Sequence, residues 1–171
     1  MKVLGVVALS CVLVPLVPAE TRPSDRGFSV QTEMSPAAGG VALHWAVVGA
    51  RRRLEQPACR GLFAEFSDAS GRTLQENLDA LGETGGTYLA RILFADGTGR
   101  PRCKARGAFA FTTVGSRVVY VCGREFKDLA GRSPVRAQAI VIHEALHTLG
   151  LGENPPSSSE ITARVLARCQ S

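Results

Sequence analysis

Two histidines and a glutamate lie close together in the segment from Val141 to Glu153, which reads VIHEALHTLGLGE. On an α-helix, His143 and His147 would occupy positions i and i+4 on the same face, so that both imidazoles could bind one cation. Glu144 directly follows the first histidine, where its carboxylate could exchange a proton with a water molecule that the metal activates. This His-Glu-x-x-His spacing is typical of zinc hydrolases. The sequence therefore predicts a metal-dependent catalytic helix.

A catalytic zinc site needs a third protein ligand and an open fourth position. Glu153 is the first candidate, because Gly150 can end the helix and reverse the chain, and Gly152 allows close approach of the backbone. Glu160, at the start of a predicted last helix, is the second candidate. His44 is a distant third, since its apolar surroundings are more typical of a partly buried histidine on a strand. The third ligand stays open between these residues.

The pattern His143-Glu144-x-x-His147-x-x-Gly150-x-x-Glu153 resembles the extended metal-binding motif of the metzincin zinc peptidases. The resemblance implies a secreted zinc metallopeptidase in which a zinc-activated water hydrolyses a peptide bond and Glu144 is the general base. It also implies that Zn²⁺ is held by His143, His147 and Glu153. The fold that it implies is zincin-like, with a small twisted mixed sheet packed on the active-site helix and a small C-terminal subdomain beyond the glycine turn.

Two features depart from that motif. Glu153 stands where metzincins usually have a histidine, which gives the His₂Glu ligand set of thermolysin-type sites. The methionine turn is also missing, because the only methionines are Met1 and Met34, both upstream of the helix. The region beneath the metal must therefore be built from other residues.

A non-catalytic function is the alternative interpretation. The chain is short for a peptidase, and only the residues after Glu153 are left to form the far wall of a cleft. It could then be a secreted binding or structural domain whose metal site is structural or absent. Retention of zinc with loss of cleavage on substitution of Glu144 by glutamine would separate the two functions.

The sequence around the motif predicts the helix that carries it. Ser133 and Pro134 supply an N-cap and a first-turn proline. Apolar residues then recur at helical spacing until Gly150, and Pro155 and Pro156 prevent continuation. Ser157 to Ser159 can cap a short C-terminal helix over residues 160–169.

Upstream of this helix the sequence predicts a mixture of helices and strands. The run Val41–Val48 favours a strand, and residues 54–66 favour a helical stretch interrupted by Pro57. Residues 73–81 form a helical repeat that ends at Gly82. Residues 87–95 favour a strand, and residues 108–114 and 117–122 favour a hairpin around Gly115 and Ser116. Together these elements predict an α+β fold with a small mixed sheet and a short C-terminal helix.

The N-terminus has the features of a secretory signal peptide over residues 1–19. Lys2 precedes an uncharged apolar run from Val3 to Val17, and Ala19 closes a small-residue cleavage site. A lipid anchor at Cys11 is disfavoured because the apolar run continues past it. The predicted organisation is a signal peptide (1–19), an extended lead-in (20–40) and a zincin-like metallopeptidase domain (41–171). We therefore expect a secreted or periplasmic monomer without a stable membrane anchor after cleavage.

Four cysteines would remain in the exported chain: Cys59, Cys103, Cys122 and Cys169. An even number in an exported protein predicts two disulfides, with three possible pairings. Cys103 and Cys122 flank the predicted hairpin and are the preferred pair, which leaves Cys59 for Cys169.

Charge and composition restrict the partners. The formal net charge of the full chain is +5, and the basic residues are scattered apart from Arg51-Arg52-Arg53, which favours a solvated face. Interleaved aromatic residues or a nucleic-acid-binding module are not evident, so nucleic acid is not an expected ligand. A peptide or protein is the expected substrate, bound along an exposed strand edge beside the helix.

Overall fold

The structure is a computed structural model that describes residues 27–170, so the predicted signal peptide and Cys11 lie outside the described residues. Within that range the chain is α+β, as predicted, with a small mixed sheet and a C-terminal helix. The strands are β1 (Gln31–Thr32), β2 (Leu93–Asp96), β3 (Ala110–Thr112) and β4 (Val118–Val121). The helices are α1 (Val41–Leu54), α2 (Pro57–Arg60), α3 (Leu74–Ala80), α4 (Gly85–Tyr88), α5 (Gly123–Arg132), α6 (Pro134–Thr148) and α7 (Ser158–Cys169), with short helical turns at Pro36–Gly40, Gly61–Ala64, Leu89–Arg91 and Pro101–Lys104.

The sheet has the order β1-β2-β4-β3. β1, β2 and β4 run parallel, and β3 pairs antiparallel with β4, with Phe111 opposite Tyr120. The hairpin predicted around Gly115 and Ser116 is confirmed by this last pair. β3 pairs with one strand only, so its outer edge is free of other described strands.

Helix α6 lies at the centre of the packing and contacts α1, α5, α7 and β3. Its buried apolar residues, such as Ile142 and Leu146, join one core with the buried face of α1, including Leu43 and Val47. Burial of such side chains stabilises the fold by about 1.5–3 kcal/mol each relative to exposure. Ten of the fifteen residues of the motif helix are therefore buried.

The ends of α6 follow from its sequence. Pro134 occupies the first turn, where its missing N–H costs no hydrogen bond, although the Ser133 side chain makes no capping bond. At the other end Gly150 has φ 112°, a backbone conformation that side-chain-bearing residues rarely adopt. The predicted start and end of the motif helix are thus confirmed, with the helix itself ending at Thr148.

Helix α7 begins two residues earlier than predicted, at Ser158. The Ser157 hydroxyl accepts a hydrogen bond from the Glu160 N–H, and the Glu160 carboxylate accepts one from the Ser157 N–H at 2.8 Å. This reciprocal capping box fixes the start of the helix.

Two strand predictions were wrong. Residues 41–48 form the first half of α1, because Leu43, Ala46 and Val47 belong to an apolar stripe that continues at helical spacing to Leu54. Residues 85–91 form helical turns, so that the strand predicted over 87–95 is limited to Leu93–Asp96. The described part of the predicted lead-in, residues 27–40, contains β1 and the helical turn Pro36–Gly40.

Both preferred disulfides are confirmed. Cys103 bonds to Cys122, next to the hairpin, and Cys59 bonds to Cys169, which joins α2 to the end of α7. Arg51 and Arg53, expected on a solvated face, instead make contacts within the chain: Arg51 lies over the Phe28 ring and Arg53 donates to the Cys169 carbonyl.

None of the helices in residues 27–170 combines the length and the apolar character that crossing a bilayer requires. The fold also does not show the metzincin architecture as a whole, because α6 is covered mainly by helices and contacts the sheet mainly through β3 and β4.

Candidate metal centre

The structure brings His143, His147 and Glu153 together. The two Nε2 atoms lie 2.9 Å apart, and the Glu153 Oε1 lies 3.2 Å from Nε2 of His147 and 3.7 Å from Nε2 of His143. Both imidazoles are buried, whereas the Glu153 side chain is 40% exposed. One nitrogen from each ring and one carboxylate oxygen thus form a group that could hold a metal ion.

The outer nitrogen of each imidazole also has a partner. Nδ1 of His143 lies 2.9 Å from Oγ1 of Thr162 on α7, and Nδ1 of His147 lies 2.7 Å from the Leu151 carbonyl. A carbonyl can only accept, so His147 carries its proton on Nδ1 and leaves the lone pair of Nε2 facing the cluster. Such outer partners fix the ring orientation that a metal ligand needs.

The Leu151 carbonyl reaches His147 because of the way α6 ends. The Gly150 N–H donates to the His147 carbonyl and the Leu151 N–H donates to the Leu146 carbonyl, both at 3.1 Å, which is a Schellman turn with Gly150 in the left-handed position. The same turn reverses the chain toward Glu153. Gly150, which was predicted to direct Glu153 toward the metal, therefore also positions the Leu151 carbonyl that contacts His147.

Two residues outside the motif hold this turn in place. The Asn77 side-chain amide donates to the Leu149 carbonyl and to Oδ2 of Asp68, both at 3.0 Å. A Cβ atom on Gly150 would lie 2.9 Å from the Cβ of Asp68, so the close approach also requires glycine. The pKa of Asp68 is held well below its usual range, first by the hydrogen bond from Asn77 and then by those from Ser70.

Glu144 has an unusual environment for a carboxylate. Its side chain is buried, and Oε2 has no hydrogen-bond partner among the described residues. Burial raises the pKa of Glu144 to about 8, the neighbouring Glu153 carboxylate adds to the effect, and the charge of Arg102 opposes it. A buried polar atom without a partner costs about 1–3 kcal/mol, so Oε2 of Glu144 is an unfavourable group in the folded chain.

The cluster lies at the floor of an open cleft of about 500 Å³. One wall runs from Gly107 to Val114 and includes β3, and the other contains Glu153, Ser158 and Thr162. The loop after β3 is tied to the floor, because the Gly115 N–H donates to the His147 carbonyl at 2.9 Å. The free edge of β3 therefore runs beside the candidate metal ligands.

The donor set fits a zinc ion. Burial lowers the pKa of His143 to about 4, with a further contribution from His147, so the imidazole is neutral and able to donate its lone pair at neutral pH. Two nitrogens of a tetrahedral zinc site lie about 3.3 Å apart when each is 2.0–2.1 Å from the metal. The observed 2.9 Å would need to widen by only about 0.4 Å.

The other predicted candidates lie elsewhere. Glu160 accepts a hydrogen bond from the Ser157 hydroxyl at the start of α7 and is exposed there, so it is not part of the cluster. His44 is exposed on α1 beside Trp45, which contradicts its predicted place on a strand. Of the two tyrosines, Tyr88 is buried and donates to Thr148, and Tyr120 stacks on Phe111.

Sequence reasoning missed Thr162, Asn77 and Asp68. Their roles depend on the approach of α7 and α3 to the two ends of the motif, and no short spacing in the sequence indicates it. Arg102 was also missed as a cleft residue, because the basic residues outside Arg51-Arg52-Arg53 were interpreted as scattered. No protein-family model matches this sequence, and comparisons with curated proteins and with solved structures found no similar protein.

Proposed function

We propose that the protein is a zinc metallopeptidase. The observation that carries the proposal is the convergence of His143, His147 and Glu153 beside a buried carboxylate, Glu144, whose Oε2 has no hydrogen-bond partner among the described residues. His₂Glu is a ligand set of catalytic zinc sites, and the resemblance to the metzincin motif supports the same function. We infer that Zn²⁺ is the ion, since imidazole suits zinc and a mixed nitrogen and oxygen set is common for it.

The open cleft favours a catalytic site over a structural one. Structural zinc sites are closed by four protein ligands, whereas catalytic sites have three and a free position. Three candidate ligands lie together here, and the cleft leaves their exposed side accessible. These features argue against the alternative of a secreted binding domain with a structural metal.

The proposed roles follow from the positions of the side chains. When bound, zinc supplies Lewis acidity that activates water and polarises the substrate carbonyl. Glu144 accepts a proton from the attacking water and donates it to the leaving amine. The ligand positions beside it would place a dication near Glu144, which favours its ionised form and therefore its function as a base.

The chain itself would position the substrate. The outer edge of β3 can pair with an extended peptide by strand addition, which would hold the scissile bond along the cleft above α6. The two disulfides are consistent with the predicted export to an oxidising compartment. The substrate is thus expected to be an extracellular or periplasmic peptide or protein.

Metal analysis and a matched variant test this proposal. The purified oxidised protein should contain one zinc ion and should cleave casein or a peptide library. Glu144→Gln should keep the zinc and lose at least 100-fold in cleavage rate, since general acid–base catalysis contributes about 10²–10⁴-fold. Cleavage that survives this substitution would refute the mechanism, and a protein that takes up no zinc would refute the metal site.

A further inference from the structure

The cleft beside the candidate metal centre is bordered by a strongly basic segment. Residues 100–106 read RPRCKAR, with a cation at every second position and no acidic residue. Arg100, Arg102, Lys104 and Arg106 are all solvent-exposed or at the surface of this turn. Charges concentrated at the mouth of a cleft attract ligands of opposite sign.

Arg102 is the member of this segment that reaches the cleft. It lines the same cavity as His143, Glu144 and Glu153. Among the described residues, no other lysine or arginine lines this cavity. A cation is therefore close to the position of the reacting groups.

The backbone around Arg102 is held in place. It lies in the helical turn Pro101–Lys104, and the neighbouring Cys103 is bonded to Cys122 at the end of β4. The guanidinium lies 5.6 Å from the centroid of the Phe111 ring on β3, which is within the range of a cation–π contact. Ordering of this kind reduces the entropy that a charged side chain loses when it binds.

Arg102 has no anionic partner of its own in the described part of the chain. No carboxylate in residues 27–170 lies within ion-pair distance of its guanidinium. A guanidinium presents parallel N–H donors that match the two oxygens of a carboxylate. Arg102 lies in a cleft that has apolar walls at Phe109 and Ile140. An ordered arginine without an ion-pair partner among the described residues is suited to bind a carboxylate of a ligand there.

We propose that Arg102 binds a carboxylate of the substrate, so that the preferred substrates are peptides with a carboxylate close to the scissile bond. This inference rests on the proposed peptidase function and adds the substrate class. The carboxylate can belong to an acidic side chain or to the free C-terminus of the peptide. Arg102 is thus a specificity-determining residue.

Peptide binding to an inactive, zinc-loaded protein tests the inference without relying on turnover. Glu144→Gln protein would be titrated with fluorescent peptides in two matched pairs. The first pair differs by Glu against Gln within an amidated peptide, and the second pair, which lacks acidic residues, differs by a free against an amidated C-terminus. We expect about tenfold tighter binding of the carboxylate-bearing member in one of the pairs, and the pair that responds identifies the source.

A second substitution assigns the preference to Arg102. Arg102→Met in the same background keeps most of the aliphatic stem and should reduce the preference to about twofold, the remainder coming from the other cations. Arg106→Met is the matched control, because Arg106 belongs to the same basic segment without lining the cleft, and it should keep most of the preference.

Several results would overturn the inference. Equal binding of both members of both pairs excludes carboxylate recognition, as does binding of none of the peptides. Equal weakening of all peptides by Arg102→Met would show a structural or general electrostatic role. Failure of the proposed function would give a different result. The zinc-loaded wild-type protein would then cleave no peptide, while Glu144→Gln protein would still distinguish the members of the peptide pairs.

Discussion

Replacement of Glu144 by glutamine should stabilise the metal-free protein, because it removes a carboxylate that is buried beside Glu153 and whose Oε2 has no hydrogen-bond partner within residues 27–170. The folded protein favours the protonated form of this group, while the unfolded chain allows it to ionise freely. Ionisation therefore favours unfolding as the pH rises above the unfolded pKa. Glutamine has nearly the same shape and does not ionise, so it is free of this cost.

The magnitude follows from the two pKa values. Glu144 has a pKa of about 8 in the folded protein and 4.5 as the reference for the unfolded chain. By proton linkage at about 1.4 kcal/mol per pKa unit, the wild type loses about 3 kcal/mol of stability between pH 4 and pH 7 from this residue alone. The glutamine variant should match the wild type near pH 4 and exceed its free energy of unfolding by about 3 kcal/mol at pH 7.

Urea unfolding of chelator-treated protein at several pH values measures this difference. Other ionisable groups are shared by both proteins and cancel in the comparison. Glu33→Gln, which changes an exposed carboxylate, is the control and should leave the difference near zero at each pH. A Glu144→Gln variant that is no more stable than the wild type at pH 7, or a difference that does not grow with pH, would refute the assignment of Glu144 as a buried, costly carboxylate.

Three further perturbations test the surroundings of the site. Thr162→Val removes the partner of Nδ1 of His143 and should weaken zinc binding about 10–100-fold in competition with a chromophoric chelator, with the fold unchanged by circular dichroism. Asn77→Ala leaves the carbonyl at the end of α6 without its donor and should lower the free energy of unfolding by about 1–3 kcal/mol in urea; an unchanged midpoint would exclude a supporting role. Replacing Cys59 and Cys169 by serine opens a loop of 110 residues, and the chain-entropy relation predicts a loss of about 5 kcal/mol, which thermal unfolding would measure and an unchanged melting temperature would contradict.

Much of the motif region could be predicted because its signals are local. Pro134 and Gly150 delimit α6 through backbone preferences of single residues, and the histidines share a face through the helical repeat alone. Glu153 was the preferred third ligand for the same reason, since a glycine turn determines where the chain can go next. The structure brings these side chains together, and zinc binding stays a prediction.

The segment 41–48 shows why other local signals failed. Its apolar residues are nearly continuous, so the repeat of a helix and that of a strand were both compatible with it. The decisive residues, Ala50 and Leu54, lie beyond Gly49 and beside arginines, where the continuous apolar run of the sequence has already ended. Gly49 does not break the helix: a Cβ there would lie 2.3 Å from the side chain of Gln138, so glycine allows α1 to approach α6.

Contacts between distant segments could not be predicted from one sequence. The cleft is lined by selected residues of three separate segments, 102–114, 140–147 and 153–162. Thr162, which contacts His143, and Asn77, which holds the turn after α6, have no spacing relation to the motif. Arg102 is one of four cations at alternate positions over residues 100–106, and only the fold shows which of them lines the cleft with the candidate metal ligands.

The two disulfides explain how so short a chain can hold a cleft in place. The Cys103–Cys122 bond joins the basic turn to the end of β4, which supports the wall that contains β3 and Arg102. The Cys59–Cys169 bond joins the end of α7 to α2, and α7 forms the opposite wall. The floor, α6, is fixed by its burial in the core. A small domain buries less apolar surface than a large one. The disulfides behind both walls can therefore supply the rigidity that the candidate metal ligands and the proposed substrate-binding arginine require.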